Sequence, residues 1–486
     1  MEKKTEPRVS PFRLIGYAFG EGAVSITMNG ISNFAMLFYT QVLGLTAAHA
    51  GIALSIAMLW DAITDPVMGH ITDNTRTRWG RRHPYIMWGG VMLAISFFLL
   101  WTVPAYFTSP AGIFTCILLL NLLVRTAVTV FVVPYTALGF EMCPEYVDRS
   151  RLQGVRYFFN MLINLIFGAC AWSIFFKDQT GSSGERIDGT TILNNYISMS
   201  VMLSVATLVL IILCLLNTRR YAADSRQMAV HGKNVKAMFQ SLSDIFKDRM
   251  AWYVFGFFGV AQLAMLLTSQ SQMFTYVHYM RFSSIEKTFV HGAGMVAFAL
   301  GSLSLTRLVG RLDKKPTGYI GMISCTIGGL GLLAVFIGGV VAPGQTVTIA
   351  LVELPLATLI FGLFQSCWWG GCGILVPLAL SMIADISEIN QKKTGELKEG
   401  SYSAVFSFFL KAATSGGLLI TGWLVTGAGI VSGAEMQTAA ATRNMAIMTF
   451  ISGPILVFVS YLILRKYPVT RAFMEKIKTG QLENAV

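Results

Sequence analysis

Long apolar segments recur along the whole chain, and they constrain its fold more than any other feature of the sequence. A bilayer core of about 30 Å needs about 20 apolar residues per helix, and twelve runs reach that length. They lie near residues 14–43, 47–72, 85–106, 111–140, 152–176, 193–217, 250–280, 287–311, 317–341, 347–383, 401–429 and 440–464. Charged residues make up only 13% of the chain, about half their share in soluble proteins. We therefore predict an all-α integral membrane protein with twelve transmembrane helices.

Lysine and arginine concentrate in alternate loops, and this asymmetry predicts the orientation. The loop after the second run holds Arg76, Arg78, Arg81 and Arg82, whereas the loops on the opposite side hold few basic residues, among them Lys177. Basic loops stay in the cytoplasm, so we expect a multi-pass protein of the cell (inner) membrane with both termini cytoplasmic. The net charge of +12 is then a topology signal, and we expect no nucleic-acid partner.

The chain divides into two halves of six apolar runs each. We assign 1–217 to an N-terminal six-helix bundle, 218–249 to a cytoplasmic central loop, 250–465 to a C-terminal six-helix bundle and 466–486 to a cytoplasmic tail. The basic turn GHITDNTRTRWGRR at 69–82 follows the second run, and GRLDKK at 310–315 follows the eighth. This repetition favours two parallel repeats with a binding site between them near the bilayer midplane, as in the major facilitator superfamily.

Charged residues within membrane spans are costly and mark functional sites. The candidates are Glu21, Asp61, Asp65, Arg125, Arg156, Glu353 and Lys411. Asp61 and Asp65 are four residues apart and project from one helix face. Because they repel each other in low dielectric, we expect them to hold a proton or to bind Na⁺. The alternative is a structural ion pair with a basic residue of a neighbouring helix.

Polar side chains form stripes on two further helices of the first half. Asn29 and Asn33 share a face of the first helix, and Arg156 and Asn160 share a face of the fifth. Amide and guanidinium groups suit the hydroxyls of a sugar, so all four are candidate substrate-binding residues. They are equally suited to hydrogen bonds between helices.

Two other groups of residues carry weaker signals. Gln365, Trp368 and Trp369 lie near the middle of the tenth span, where the tryptophans would stack on a sugar ring or fill space between glycine-rich helices. The turn with Asp73, Arg78, Arg81 and Arg82 is interpreted as a cytoplasmic gate and topology anchor, in which Asp73 meets an arginine of the loop. We do not expect this turn to touch the substrate.

The stretch WDAITDPVMGHITDNTRTRWGRRHPY at 60–85 resembles the glycoside–pentoside–hexuronide:cation symporter family. The resemblance extends to GYAFGEG (16–22), FYTQVLGL (38–45), VPYTAL (133–138), ADISE (384–388) and the helices bearing Arg156 and Lys411. It implies a major facilitator fold that alternates access to the two membrane sides. It also implies that Asp61 and Asp65 bind the cation, that Arg156 lines the sugar site and that Lys411 lies between the bundles as a charge partner of the ion site.

The chain departs from that family at three positions. Its melibiose carriers have acidic residues at the positions of Gly22 and Val132, and an aromatic residue that contacts galactoside at that of Thr136. Galactoside specificity is therefore not expected. Because one ion-site carboxylate is missing, the coupling ion is H⁺ or Na⁺, with H⁺ favoured since a proton needs only one titratable group.

Arg125 lies near the centre of the fourth span, seven residues before Val132 and on the same face. In the resembled family that face looks into the cavity. Arg125 either neutralises Asp61 in place of a bound cation or binds an acidic group of the solute, for which a guanidinium is well suited.

The sequence favours a transporter over an enzyme, because the six histidines are scattered at 49, 70, 83, 231, 278 and 291 without a catalytic or metal-binding pattern. We predict secondary active symport of a sugar, glycoside or hexuronide with a monovalent cation, by a monomer in the lipid bilayer and without a further cofactor. The alternative function is a major facilitator carrier of another solute, such as a lysolipid or drug.

Overall fold

The computed structural model describes residues 9–143, 146–180, 186–221, 245–349, 352–394, 399–434 and 436–478. Within these residues, twelve long helices follow one another. They are α1 (Pro11–Leu37), α2 (Ala47–Asn74), α3 (His83–Thr102), α4 (Pro110–Met142), α5 (Tyr146–Ile174), α6 (Leu193–Thr218), α7 (Arg249–Phe274), α8 (Ser284–Leu312), α9 (Lys314–Leu332), α10 (Leu356–Thr394), α11 (Glu399–Gly427) and α12 (Ala439–Leu464). A short helix, α13 (Arg471–Lys478), comes last.

Several helices are prolonged or separated by short irregular elements. One π-helical turn extends each of α1, α7 and α9, at Phe38–Val42, Thr275–Tyr279 and Leu333–Ile337. Short 3₁₀ helices form at Val103–Tyr106 and Gly189–Thr191.

Side-chain caps fix the start of several helices. The Ser109 hydroxyl accepts the backbone N–H of Gly112 at the start of α4. At the start of α8, Ser283 and Glu286 form a capping box in which each side chain accepts the other residue's backbone N–H. Such caps satisfy amides that have no partner in the first helical turn.

Two small antiparallel hairpins lie between helices. β1 (Gln179–Thr180) pairs with β2 (Arg186–Ile187), and β3 (Val347–Ile349) pairs with β4 (Val352–Leu354). The predicted tenth span of 347–383 is therefore wrong at its start, and Glu353 belongs to β4, not to a membrane span. The run TVTIALVEL is rich in β-branched residues, which favour strands.

Ten of the twelve long helices in the described part of the chain are long and apolar enough to cross a membrane. The other two, α1 and α5, carry the charged residues Arg13, Glu21 and Arg156. These helices confirm the predicted helical, multi-pass membrane protein.

Contacts divide the chain into two compact units, Met1–Leu45 with Ile56–Gly232 and Thr46–Ser55 with Lys233–Val486. In the first unit α1 packs against α5 and α6, and α3 packs against α4 and α6. In the second unit α10 packs against α8 and α9, and α7 packs against α11 and α12. Most of the predicted central loop (222–244) and the end of the tail (479–486) lie outside the described residues.

Glycine permits the close contact between α8 and α10. A Cβ atom on Gly301 would strike the carbonyl oxygen of Gly370, and one on Gly373 would strike that of Phe298. Small residues at such positions let the backbones of membrane helices approach closely.

Candidate functional site

Asp61 and Asp65 lie one turn apart on α2 and share one partner, Thr129 of α4. The Thr129 hydroxyl is 3.2 Å from Oδ1 of Asp61 and 2.9 Å from Oδ1 of Asp65. The Thr64 hydroxyl lies 3.2 Å from that of Thr129. We call these four residues the carboxylate cluster. Both carboxylates project to the side of α2 that meets α4, and Asp61 is only 4% exposed.

The chemistry of this cluster follows from the number of protons available. Thr129 has a single hydroxyl proton and can donate it to one carboxylate at a time. Its contact with the second carboxylate is favourable when that group carries a proton, or when a cation lies close to both. Carboxylate and hydroxyl oxygens are also the ligands that hard cations prefer. The cluster is thus suited to hold a proton or a monovalent cation.

Arg125 lies one turn before Thr129 on α4. Its guanidinium lies within electrostatic range of the Asp61 carboxylate and, more weakly, of the Asp65 carboxylate. Its guanidinium group makes no hydrogen bond or ion pair with any residue that the structure describes. The attraction to Asp61 therefore acts over a longer distance than a direct ion pair, and the five N–H donors of Arg125 stay available to another acceptor.

A second charged group joins α1, α4 and α5. Oε2 of Glu21 accepts from Arg156 Nη2 at 2.7 Å and from Arg156 Nε at 2.9 Å. Asn160 Nδ2 donates to the Ser25 hydroxyl at 2.8 Å and lies 3.4 Å from Oε1 of Glu21. The Arg156 guanidinium also lies 5.2 Å from the centre of the Tyr135 ring. This group presents a carboxylate, an amide and a guanidinium together, which is a set that binds hydroxyls well.

The family model for MFS/sugar transport proteins matches residues 16–471. The chain belongs to this family. It is a membrane transporter of the major facilitator superfamily, and the prediction that it is not an enzyme is confirmed.

Individual relatives match most of this chain. The chain is 24% identical to an isoprimeverose transporter of Lactiplantibacillus pentosus, over 91% of this chain and 85% of that protein. It is 23% identical to a glucuronide carrier protein homolog of Escherichia coli, over 94% of this chain and 92% of that protein. The inward-open xylose transporter of E. coli shares the fold, with a TM-score of 0.57, 13% identity and coverage of 96% and 97%.

The α2–α3 turn of this transporter is tied together by charge. Arg82 Nη2 lies 2.5 Å from Oδ1 of Asp73, Arg82 Nη1 donates to the Thr72 hydroxyl at 2.7 Å, and Arg82 Nε lies 2.9 Å from Oε1 of Glu141. Arg81 Nη2 lies 2.7 Å from the same oxygen of Glu141. The expected contact between Asp73 and an arginine of the loop is present, and the gating role stays a prediction.

The α8–α9 turn shows the same principle in the second unit. Lys314 Nζ lies 2.5 Å from Oδ2 of Asp385 on α10. Asp313 has a positive φ of 76°, and its carboxylate accepts the backbone N–H groups of Lys314 at 2.7 Å and of Arg471 at 2.8 Å. Each unit thus ties a basic turn to an acidic side chain of a following helix, α4 in the first and α10 in the second.

The candidates on α10 lie in the interior of the second unit. Gln365 Nε2 donates to Oε1 of Gln272 at 2.5 Å and to the Tyr276 hydroxyl at 3.0 Å. Trp368 and Trp369 are 2% and 8% exposed. These contacts support the packing alternative for the tryptophans, and their binding of a solute stays a prediction.

The remaining candidates, as far as their contacts are described, interact with residues close to them in sequence. The Asn29 amide donates to the carbonyl of Ser25 at 2.7 Å, and the Asn33 amide donates to that of Asn29 at 3.0 Å. Arg78 is exposed and lies over the ring of Trp79, 5.4 Å from its centre. Lys411 lies on α11 and is half-buried, and its role as a charge partner of Asp61 and Asp65 stays a prediction.

Proposed function

We propose that this transporter carries a sugar or glycoside across the cell inner membrane by symport with H⁺ or Na⁺. The observation that carries the proposal is the pair of carboxylates bridged by Thr129, in a chain that belongs to a sugar-transport family. The relatives named for isoprimeverose and glucuronide transport support a sugar-type solute.

The carboxylate cluster is the proposed cation site. Transport requires a group whose charge state changes once per cycle, and Asp61 with Asp65 supplies it. When the cluster holds its proton or Na⁺, the local negative charge falls, and the cost of moving the site through the low-dielectric membrane falls with it. Loss of the cation would restore the repulsion and favour the other conformation. This difference in free energy between the two states couples solute to ion.

The group around Glu21 and Arg156 is the proposed sugar-binding site. Its carboxylate accepts hydrogen bonds, its guanidinium donates them, and Asn160 does both. Sugar hydroxyls need partners of both kinds. A lysolipid would instead need a long apolar channel for its acyl chain, and a charged group of this kind does not favour it.

Arg125 is the proposed contact for an acidic group on the solute. A guanidinium binds a carboxylate with two parallel hydrogen bonds, and the donors of Arg125 are not used by described residues. A glucuronide carries such a carboxylate, whereas isoprimeverose is neutral. The competing interpretation, that Arg125 offsets the charge of Asp61 from a distance, is supported by their attraction.

The test is uptake into proteoliposomes driven by an imposed H⁺ or Na⁺ gradient. We expect at least one glycoside from a panel of neutral and acidic compounds to accumulate, and a lysolipid not to. Thr129→Val should abolish gradient-driven accumulation while leaving solute exchange measurable, because it removes the hydrogen bonds to both carboxylates.

Thr126→Val is the matched control on the same helix. The Thr126 hydroxyl bonds the indole of Trp60 at 2.9 Å and its own helix at Leu122 O at 2.8 Å, and neither contact involves a carboxylate. This variant should accumulate solute normally. Two results would refute the proposed coupling. One is full accumulation by Thr129→Val, and the other is wild-type uptake that is the same with and without an H⁺ or Na⁺ gradient.

A further inference from the structure

A small cavity lies inside the second unit, between α7, α9, α10 and α12. Its polar lining consists of Thr268, Gln272, Gln365, Trp368 and Thr449, and its other lining residues are apolar or glycine. The cavity belongs to the interior of one helix bundle and involves none of the residues of the carboxylate cluster.

Three of the lining side chains have a buried polar atom without a partner. Thr268 Oγ1, Gln272 Nε2 and Trp368 Nε1 make no hydrogen bond within the described part of the chain. Their residues are 7%, 1% and 2% exposed. A buried polar atom without a hydrogen bond costs about 1 to 3 kcal/mol, so three beside one cavity call for a ligand.

The three residues lie on α7 and α10, which pack against each other. Thr268 and Gln272 are one turn apart on α7 and share a face. A Cβ atom on Gly453 would contact Cη2 and Cζ3 of the Trp368 ring and Thr268 Oγ1, so Thr268 lies beside the six-membered ring of Trp368. Oε1 of Gln272 is already used by Gln365 Nε2, at 2.5 Å.

The size and charge of the cavity identify the ligand. About 10 Å³ is open to the centre of a water-sized sphere, which corresponds to about one water molecule. No charged side chain is among the described residues that line it, and an unpaired buried ion costs far more than a neutral group. A water molecule can accept from Trp368 and Gln272 and donate to Thr268.

We propose that one structural water occupies this cavity and joins α7 to α10 through Thr268, Gln272 and Trp368. It would reinforce the direct bond from Gln365 to Gln272 and keep the two helices in a fixed register. The proposal concerns the integrity of the second bundle and does not depend on which solute the protein carries.

The test is the thermal stability of the purified full-length carrier with Thr268→Val. Valine has nearly the same shape as threonine but no hydroxyl. If the water is bound, the variant takes away one of its partners and Tm should fall by about 2 to 4 °C. If the cavity is dry, the variant removes an unsatisfied hydroxyl, so Tm should rise or stay the same.

Thr421→Val is the control, because Thr421 is fully buried in the same unit and bonds only the carbonyl of Gly417 in its own helix, at 2.8 Å. Thr421→Val thus gives the fall in Tm expected when a buried threonine loses one hydrogen bond, and a Tm for Thr268→Val equal to or above that of the wild type would overturn the proposal. A structure determined at a resolution that shows ordered water gives a second readout, independent of any variant. Water density bonded to Trp368 Nε1 supports the proposal, whereas an empty cavity, or a halide revealed by the anomalous signal of bromide, overturns it.

Discussion

Arg125 is a half-buried cation on α4, and its proposed role is to recognise an acidic group on the solute. If it binds an acidic group of the solute, acidic glycosides should inhibit uptake better than their neutral analogues in the wild type. Arg125→Gln should erase that preference, because the amide keeps a donor but loses the charge and the two-pronged geometry. A change of about tenfold or more in the ratio of inhibition constants corresponds to about 1.4 kcal/mol.

Arg125→Lys separates charge from geometry. Lysine keeps the positive charge near Asp61 but presents a single ammonium group, so the acidic preference should weaken without vanishing. Equal inhibition by acidic and neutral glycosides in the wild type would rule out this role and leave Arg125 as a distant counter-charge of Asp61.

The sequence predicted the residues of the site better than it predicted their partners. The spacing of Asp61 and Asp65 is enough to place them on one face of a helix. Thr129 was not predicted, because a neutral hydroxyl is common in membrane helices and carries no signal of its own. Glu21 was noticed as a charge but not paired with Arg156, since that pairing depends on how α1 and α5 rotate against each other.

At the scale of the helices and turns, the α2–α3 turn relies on Glu141. Its carboxylate binds both Arg81 and Arg82, whose side chains are 15% and 5% exposed. Glu141→Gln removes the negative charge that both arginines share. Removing one member of a buried ion pair lowers the free energy of unfolding by about 3 to 5 kcal/mol. We expect a clear fall in Tm of the purified protein together with slower uptake.

Arg78→Gln provides the comparison within the same turn. Arg78 is exposed and contacts the ring of Trp79, so its loss should change Tm little. Equal Tm values for Glu141→Gln and the wild type would show that the turn does not depend on this carboxylate.

Helices were easier to predict than the short elements between them. Runs of about 20 apolar residues identify a membrane helix because lipid offers no partner to the backbone. The same rule misassigned 347–355, where an apolar run forms the β3–β4 hairpin before α10. Hydropathy alone cannot separate the two, and the β-branched residues Val347, Ile349 and Val352 were the signal that could have done so.

For the whole molecule, the distribution of basic residues predicts the orientation in the membrane, and cysteine labelling can test it. The α2–α3 turn is rich in arginine and should face the cytoplasm, whereas the β1–β2 hairpin should face outward.

Single cysteines that replace the exposed residues Arg78 and Gln179 report on the two sides. A membrane-impermeant maleimide should label Gln179→Cys in intact cells, and should label Arg78→Cys only after the membrane is permeabilised. The wild type, whose described cysteines are all buried or half-buried, measures the background. Labelling of Arg78→Cys in intact cells would show that the orientation is the opposite of the predicted one. The side of the protein that faces an inward ion gradient would then also be the opposite one.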